Sequence, residues 1–362
     1  MNQLPLQKSV IARKIPNRII RRLAIYTLCL PALTGSFSCG NSANEEAAQF
    51  FLRGNVQLQK REYREAIRYY TEAIDKKADF ADAWHNRGLA KYRNGDREGA
   101  LADYNKAIDT DPGFAAAYLN RADIWLESGH ALRGLSDLRR IETVYTDSSF
   151  YQTRLGDTYV QLKNPGQAQA AYDKAIQLDS KNVEALTNRG ALFFQQKAYE
   201  QARQDLDRAL TLNPEQPEAL NNKALLLAND GQYDKALLLV DKALAIRTGQ
   251  PFYLNNKGYY LLMLNRAQEA LPVLQEALRK DPQNAWAHRN LGIYYLQQQQ
   301  ADPAISSFTA AEKIDPSVDH LYGYSGKAWL LKNDRIRACT QWKRGVTAGD
   351  SMAAELAKIQ CR

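Results

Sequence analysis

The strongest constraint on this chain of 362 residues is a pattern of small residues that recurs every 34 positions. From Gly54 onward, each step of 34 meets Gly or Ala, nine times in succession. A second series starts at Ala66 and is also small throughout, and a third starts at Ala73 and is broken only by Ile141. A period of this length is typical of proteins built from stacked repeats. The unbroken register predicts nine equivalent units.

Two further features predict that each unit is a pair of helices. Ala66, Tyr70 and Ala73 are spaced so that they share one face of a helix, and the same spacing returns in later units. Turn signals such as Asn94-Gly95-Asp96 lie between the two helices, and Asp111-Pro112 is one of four Asp-Pro or Asn-Pro pairs that close units. Proline cannot continue the preceding helix, and Asp or Asn can cap the next one. We therefore expect an all-α protein.

These columns resemble the tetratricopeptide repeat (TPR) family. One of the clearest matches consists of Trp84, Gly88, Ala100, Tyr104, Ala107 and Pro112. The resemblance implies an α-solenoid, a right-handed superhelix of nine 34-residue helix–turn–helix repeats with a C-terminal capping helix. The implied repeats are 47–80, 81–114, 115–148, 149–182, 183–216, 217–250, 251–284, 285–318 and 319–350, followed by a cap over 351–362.

The repeat at 115–148 departs most from the pattern. It has Gly134 where most repeats have Ala, Ile141 in a column of small residues, and no closing Pro. Two interpretations remain open: a softer joint in the array, or sequence drift without structural consequence.

The first 38 residues have the features of an export signal. The net charge of the whole chain is +8. Six basic residues and no acidic one lie in the first 22 positions, so the rest of the chain carries only about +2. An apolar run from Leu23 to Leu33 follows, shorter than the roughly 20 residues that span a bilayer. The near-neutral remainder gives no electrostatic reason to expect a nucleic-acid partner.

Ser38-Cys39-Gly40 at the end of this segment resembles a bacterial lipoprotein processing site. The resemblance implies that Cys39 becomes the lipidated first residue and that 39–46 forms a short tether to the membrane. Asn44, followed by two glutamates, is expected to cap the first helix. The alternative is cleavage by ordinary signal peptidase, which would give a soluble periplasmic protein.

Cys339 and Cys361 are predicted to form a disulfide. Gly349-Asp350 predicts a turn before a short helix that starts at Ser351. Because the two cysteines stand about equally far from this turn, antiparallel helices would bring their sulfur atoms level, and exported proteins tolerate disulfides. The alternative is a pair of unpaired thiols. The closing segment also resembles the C-terminal ends of TPR lipoproteins from the envelope of Bacteroidota.

An asparagine column is the candidate partner-binding feature. Six repeats carry Asn two residues before the first small-residue column: Asn86, Asn120, Asn188, Asn222, Asn256 and Asn290. Asn is a mediocre helix former, and its amide can both donate and accept hydrogen bonds along a peptide backbone. The column resembles the asparagine ladder on the inner face of the TPR superhelix of O-linked N-acetylglucosamine transferases, which implies a peptide groove. Alternatively, each Asn joins neighbouring repeats; both roles can coexist.

Four aromatic residues occupy other groove positions: Phe150, Phe252, Tyr259 and Trp286. They would either anchor a partner or fill the space between repeats. No phosphate-binding loop, nucleophile elbow or metal-ligand spacing is found in the sequence, and His85 and His288 are expected to be packing residues.

We therefore expect a non-catalytic scaffold or adaptor, with no cofactor or metal, that binds a protein or extended peptide on the concave face. We expect it at the bacterial cell envelope, lipid-anchored through Cys39. The alternative function is an envelope binding protein for a nonprotein ligand such as a glycan.

Overall fold

A computed structural model describes residues 39–361, and no strand occurs among them. Twenty helices follow one another along this part of the chain: α1 (Cys39–Gln59), α2 (Tyr63–Lys76), α3 (Ala81–Arg93), α4 (Arg97–Thr110), α5 (Ala115–Glu127), α6 (Ala131–Arg140), α7 (Glu142–Tyr145), α8 (Ser149–Gln161), α9 (Pro165–Leu178), α10 (Val183–Gln195), α11 (Tyr199–Leu212), α12 (Pro217–Asn229), α13 (Tyr233–Ile246), α14 (Pro251–Met263), α15 (Ala267–Lys280), α16 (Ala285–Gln297), α17 (Ala301–Ile314), α18 (Leu321–Leu331), α19 (Arg335–Ala348) and α20 (Ser351–Gln360). The prediction of nine helical hairpins and a final helix is confirmed.

The chain divides into two compact units at residues 171 and 172, within α9. The N-terminal unit contains the described residues up to 171, and the C-terminal unit contains 172–361. Within each unit, helices pack chiefly on their immediate neighbours in the array of hairpins. Among residues 39–361, no helix combines the length and apolar character needed to cross a bilayer.

The three columns of small residues form the interior of the hairpins, and every member is buried. A residue 16 positions after the first column fills the space that the small residue leaves. At several Gly positions of this column a Cβ atom would collide with the partner: it would lie 2.5 Å from the Phe308 ring at Gly292 and 2.1 Å from Trp342 Nε1 at Gly326. Small residues therefore let the two helices of a hairpin approach closely.

The turn within each hairpin contains a left-handed residue, and these residues also recur every 34 positions. Gly occupies only three of the nine positions. L-residues with a side chain adopt this conformation at an energetic cost, so residue type does not predict it at the four positions that hold Arg, Lys or Gln. The nine are Arg61, Gly95, Gly129, Lys163, Lys197, Gly231, Asn265, Gln299 and Asn333.

The third hairpin is remodelled around Ile141. Its second helix, α6, has 10 residues, whereas the other second helices have 14. The chain leaves the helix at Ile141, whose side chain is buried in a cluster with Leu138 and Tyr151, and then forms the one-turn helix α7. The irregularity at 115–148 therefore has a structural consequence, unlike drift that leaves the fold unchanged.

The start of α1 differs from the expected tether. The helix begins at Cys39, so Asn44 lies inside it and does not cap its first turn. Residues 40–46 in a helix rise about 10 Å, whereas the extended chain reaches about 25 Å. No residue in this stretch forces the chain out of a helix, since Gly40 only weakens it. The predicted signal peptide, 1–38, lies outside the described residues.

The C-terminal helix α20 packs on the last hairpin. Asp350 caps it, because its side chain accepts a hydrogen bond from the Ala353 backbone at 3.0 Å. The Sγ atoms of Cys339 and Cys361 lie 2.09 Å apart, and their Cα atoms lie 5.6 Å apart. The Cα separation is within the range of disulfides, so the predicted pairing is sterically possible.

Candidate binding site

The asparagine column forms side-chain bridges between successive first helices. In the C-terminal unit, Asn256 Nδ2 donates to Asn221 Oδ1 at 2.8 Å, and Asn290 Nδ2 donates to Asn255 Oδ1 at 2.8 Å. Each acceptor is the residue just before the column member of the preceding repeat. The amides therefore connect neighbouring repeats at their first helices.

The N-terminal unit uses a histidine in the same arrangement. Asn120 Nδ2 lies 2.9 Å from His85 Nε2, and His85 Nδ1 lies 3.0 Å from Asn86 Oδ1. Burial lowers the pKa of His85 to about 4, so the ring is neutral at physiological pH and Nε2 can accept from Asn120. Asn86 also donates to Asn55 Oδ1 at 2.9 Å.

The remaining two column members also lie on first helices. Asn188 is half-buried on α10, and Asn222 is buried on α12, where its Oδ1 lies 3.5 Å from Asn221 Nδ2. The interpretation that the column joins repeats is thus supported by four direct bridges, from Asn86, Asn120, Asn256 and Asn290. Ligand binding by the column stays a prediction.

A cavity of about 300 Å³ lies in the C-terminal unit, on the face formed by α12, α14 and α16. It has room for about ten water molecules. Exposed Asn229 and Asp319 lie at its edge, so it opens to solvent. Three of the four aromatic residues identified in the sequence line the cavity: Phe252, Tyr259 and Trp286. Four asparagines also line it: Asn221, Asn255, Asn256 and Asn290.

The fourth aromatic residue, Phe150, lies in the N-terminal unit. Its ring is 36% exposed and stands 4.6 Å from the guanidinium carbon of Arg154. It belongs to the surroundings of a buried ion pair and is not among the residues that line the cavity. Phe150 therefore belongs to a different unit from the three other aromatic candidates.

Arg289 is a buried charged group in the cavity wall. Its side chain is buried, and the guanidinium lies 4.8 Å from the centre of the Trp286 ring and 5.1 Å from that of Tyr259. Burial lowers the pKa of Arg289 and raises the pKa of Tyr259. Both shifts reflect a site with restricted access to water. Arginine nevertheless stays protonated in proteins.

Sequence reasoning missed Arg289, Asn221 and Asn255. Each stands immediately before a member of the asparagine column, and this preceding position holds different residue types from repeat to repeat. The doublets Asn221-Asn222 and Asn255-Asn256 were the available signal. Two adjacent amides in mid-helix are costly unless both have partners.

Two further expectations from the sequence concern His288 and metal binding. His288 Nε2 lies 3.0 Å from the carbonyl oxygen of Pro282, a contact at a helix start. Within residues 39–361, no three His, Cys, Asp or Glu side chains come together in an arrangement able to hold a metal ion.

Two family models, both described as tetratricopeptide repeat, match the chain. One matches residues 51–113, 85–131, 153–217 and 199–251, and the other matches residues 261–325. Together they span more than half of the sequence. No curated protein matches the chain.

Several solved structures are similar to the chain. The APC/C hetero-tetramer Cut9–Hcn1 is 16% identical, with a TM-score of 0.64 over 87% of this chain and 76% of that one. Human IFIT1, solved as a dimer with m7Gppp-AAAA, is 16% identical, with a TM-score of 0.54 over 76% of this chain and 70% of that one. Yeast Tom70 is 22% identical, with a TM-score of 0.50 over 80% of this chain and 65% of that one. At these identities the similarity shows the fold alone.

Proposed function

The chain belongs to the tetratricopeptide repeat family, and we propose that it is a non-catalytic scaffold that binds an extended peptide segment of a partner protein. The binding surface is the face formed by the first helices in the C-terminal unit. The cavity on this face carries the proposal, because it combines amide side chains with aromatic walls.

The amides suit a peptide backbone. A side-chain amide has two N–H donors and two acceptor lone pairs. Asn256 and Asn290 each use one N–H to bridge repeats. Asn290 Oδ1 also accepts two hydrogen bonds from Arg289, and Asn256 Oδ1 accepts one from Asn255. One N–H of each amide and one lone pair of Asn256 Oδ1 therefore remain for a ligand. Because the bridges hold the amides in place, a peptide would meet a pre-organised surface and lose less entropy on binding.

A glycan ligand is the weaker candidate. Sugars are commonly held by stacking on exposed aromatic faces, and Trp286 and Tyr259 are the rings available for this role. The Arg289 guanidinium already lies over both rings, at 4.8 and 5.1 Å from their centres. With one face of each ring occupied, the cavity favours side chains of a peptide over the flat face of a sugar.

Replacing Asn256 by alanine tests the peptide site. The change removes an amide from the cavity and should weaken binding of selected peptides about five- to tenfold, the loss expected for one or two hydrogen bonds. Peptides would be selected from a random 12-residue library on the unmodified protein, and their dissociation constants measured by fluorescence anisotropy.

Asn120→Ala is the matched control. It removes an equivalent bridge, to His85, but Asn120 does not line the cavity. Both variants should lose about 0.5–1.5 kcal/mol of stability, whereas only Asn256→Ala should lose peptide affinity. If the two variants lose affinity equally, or if no peptide can be selected, the proposed site is wrong.

We further propose that the protein is anchored at the bacterial envelope by a lipid on Cys39. Support comes from the basic and apolar segment before Ser38-Cys39-Gly40. Since α1 begins at Cys39, such an anchor would hold the first hairpin close to the membrane. A soluble periplasmic form is the alternative.

The mature N-terminus distinguishes these two forms. In bacterial cells that produce the protein, we expect mass spectrometry to find Cys39 as the first residue, carrying diacylglycerol and an acyl chain. Cys39→Ala should abolish labelling by an alkynyl fatty acid and release the protein from membranes. Cys339→Ala should keep the label. An unmodified N-terminus at another residue would contradict lipidation.

A further inference from the structure

His320 connects the last hairpin to the C-terminal helix α20. It is the residue just before α18, and its side chain is 33% exposed. Nδ1 lies 3.4 Å from Asp350 Oδ1, and Nε2 lies 3.6 Å from Asp319 Oδ2. Asp319 precedes α18, whereas Asp350 caps α20. The imidazole ring therefore lies between two carboxylates that belong to different segments of the chain.

Only the protonated ring suits both carboxylates. A neutral imidazole has one N–H, so its other nitrogen would point a lone pair at a carboxylate. The imidazolium has an N–H on each nitrogen and a positive charge that balances one of the two acids. The interaction with Asp350, together with the charge of Asp319, raises the pKa of His320 and outweighs the opposing effect of partial burial.

One cation faces the ring from a neighbouring helix. Arg289 on α16 donates from Nη1 to the backbone carbonyl of Asp319 at 2.9 Å, and its charge acts against protonation of His320. Helices α17 and α19 also pack on α18. No side chain of α17 or α19 forms an ion pair with the ring in the described part of the chain. The two acids therefore outweigh one opposing charge.

Asp350 transmits the state of the ring to α20. Its side chain is buried, Oδ1 also accepts from the Ala353 backbone N–H at 3.0 Å, and Oδ2 accepts from the Gly323 backbone N–H at 2.9 Å. One carboxylate thus caps α20 and binds the first turn of α18. A buried carboxylate is costly unless donors and an opposite charge surround it. The imidazolium supplies this charge, and the neutral ring does not.

The backbone of His320 is in the left-handed conformation, with φ 55° and ψ 14°. Few residues with a side chain adopt this conformation without cost, and Gly would adopt it freely. A histidine at this position is therefore unfavourable for the backbone. Its contacts with Asp319 and Asp350 offset that cost.

We propose that His320 is a pH-sensitive switch: its protonated ring holds the N-terminal end of α20 on the last hairpin, and loss of the proton loosens this helix. Because the pKa of His320 is raised in the folded protein, the stabilisation is complete below the ordinary pKa of histidine, about 6.5. It is lost as the pH rises through the higher value of the folded state. Since Ala353 of α20 packs in one cluster with Tyr322 and Trp342, loosening would expose apolar surface of the last hairpin.

Hydrogen exchange of α20 between about pH 5.5 and about pH 8.5, the range in which a histidine titrates, tests the proposal. Rates would be converted to protection factors, which removes the intrinsic pH dependence of exchange. We expect the protection of α20 to fall severalfold as the pH rises, whereas α10 in the same unit should change much less, because effects in stacked repeats stay local. An NMR titration of the His320 ring should give the same midpoint.

His320→Asn should make the protection of α20 independent of pH. Asn keeps a side-chain N–H donor, does not titrate, and tolerates the left-handed conformation. His288→Gln is the matched control, because the ring of His288 contacts the carbonyl oxygen of Pro282 and no carboxylate; it should keep the pH profile. Circular dichroism would verify that the variants are folded.

Asp319→Asn is a second test that leaves the cap of α20 in place. It removes one of the two carboxylates, so the midpoint should move to lower pH, and this result does not require that His320→Asn folds. Protection of α20 that is constant with pH in the unmodified protein overturns the proposal. A pH profile that survives in His320→Asn, or a midpoint that is unchanged in Asp319→Asn, overturns it as well. None of these outcomes affects the proposed peptide site, which Asn256→Ala tests separately.

Discussion

Replacing Trp342 by alanine is expected to lower the free energy of unfolding by about 3–5 kcal/mol, the usual loss for a buried Trp. The side chain is fully buried between Gly326 and the core of the last hairpin. Its Nε1 donates to the backbone carbonyl of Gly323 at 3.1 Å. Truncation therefore removes both a large apolar contact and a buried hydrogen bond, and α20 loses much of the surface on which it packs.

The measurement combines urea unfolding, followed by circular dichroism, with hydrogen exchange. In stacked repeats the loss should stay local, so exchange should accelerate in α18, α19 and α20 and change little in α10. Ile336→Ala is the matched control, since Ile336 lies on the same helix and is 84% exposed. Its effect should stay within about 0.5 kcal/mol. A loss below about 1 kcal/mol in Trp342→Ala would contradict this description of the last hairpin.

The second large effect is expected from the two cysteines. If Cys339 and Cys361 are joined, the double variant Cys339→Ser, Cys361→Ser should lose about 2–4 kcal/mol, because the bond closes a loop between positions 22 residues apart. The loss would be felt mainly by α20, which follows the last hairpin. The same protein with its disulfide reduced should match the double variant.

Urea unfolding with and without reductant tests this prediction. Reductant should destabilise the unmodified protein and leave the double variant unaffected. Peptide mapping under non-reducing conditions should recover a fragment that links Cys339 to Cys361. Unfolding of the unmodified protein that does not respond to reductant, together with two reactive thiols, would establish the unpaired alternative.

The hairpins could be predicted from the sequence because their packing depends on residue size at fixed spacing. At positions such as Gly292, the absence of a side chain leaves room for the large residue 16 positions later, so the spacing of the small residues predicts how the helices pack. The left-handed residues in the turns within the hairpins were harder to predict. Gln299 and Lys197 adopt the left-handed conformation without being Gly, since the helices on either side impose it.

Two departures had different causes. Ile141 was recognised as an exception, but a residue pattern does not say whether a helix will absorb a bulky side chain or end at it. The helix at Cys39 was missed because Asn44, Glu45 and Glu46 form a reasonable capping sequence, and local preference does not exclude a longer helix.

The candidate site was only partly predictable. Phe252, Tyr259 and Trp286 were each identified from their positions in the repeat, but their convergence on one cavity depends on side-chain directions across three hairpins. Arg289 was missed because its burial against Trp286 and Tyr259 depends on how neighbouring hairpins pack, which the residue pattern does not show.

Because each hairpin packs chiefly on its immediate neighbours, a gene of this kind can lose a repeat and still encode a folded array. Gln216-Pro217 and Gln250-Pro251 begin α12 and α14 in the same way, so recombination that deletes the 34 codons between them would restore an identical junction. The hairpins on either side of the deletion would then pack on each other as neighbours. It would nevertheless lose Asn221, Leu225 and Tyr233 from the cavity. The number of repeats can therefore change during evolution, whereas ligand binding depends on which repeats are neighbours.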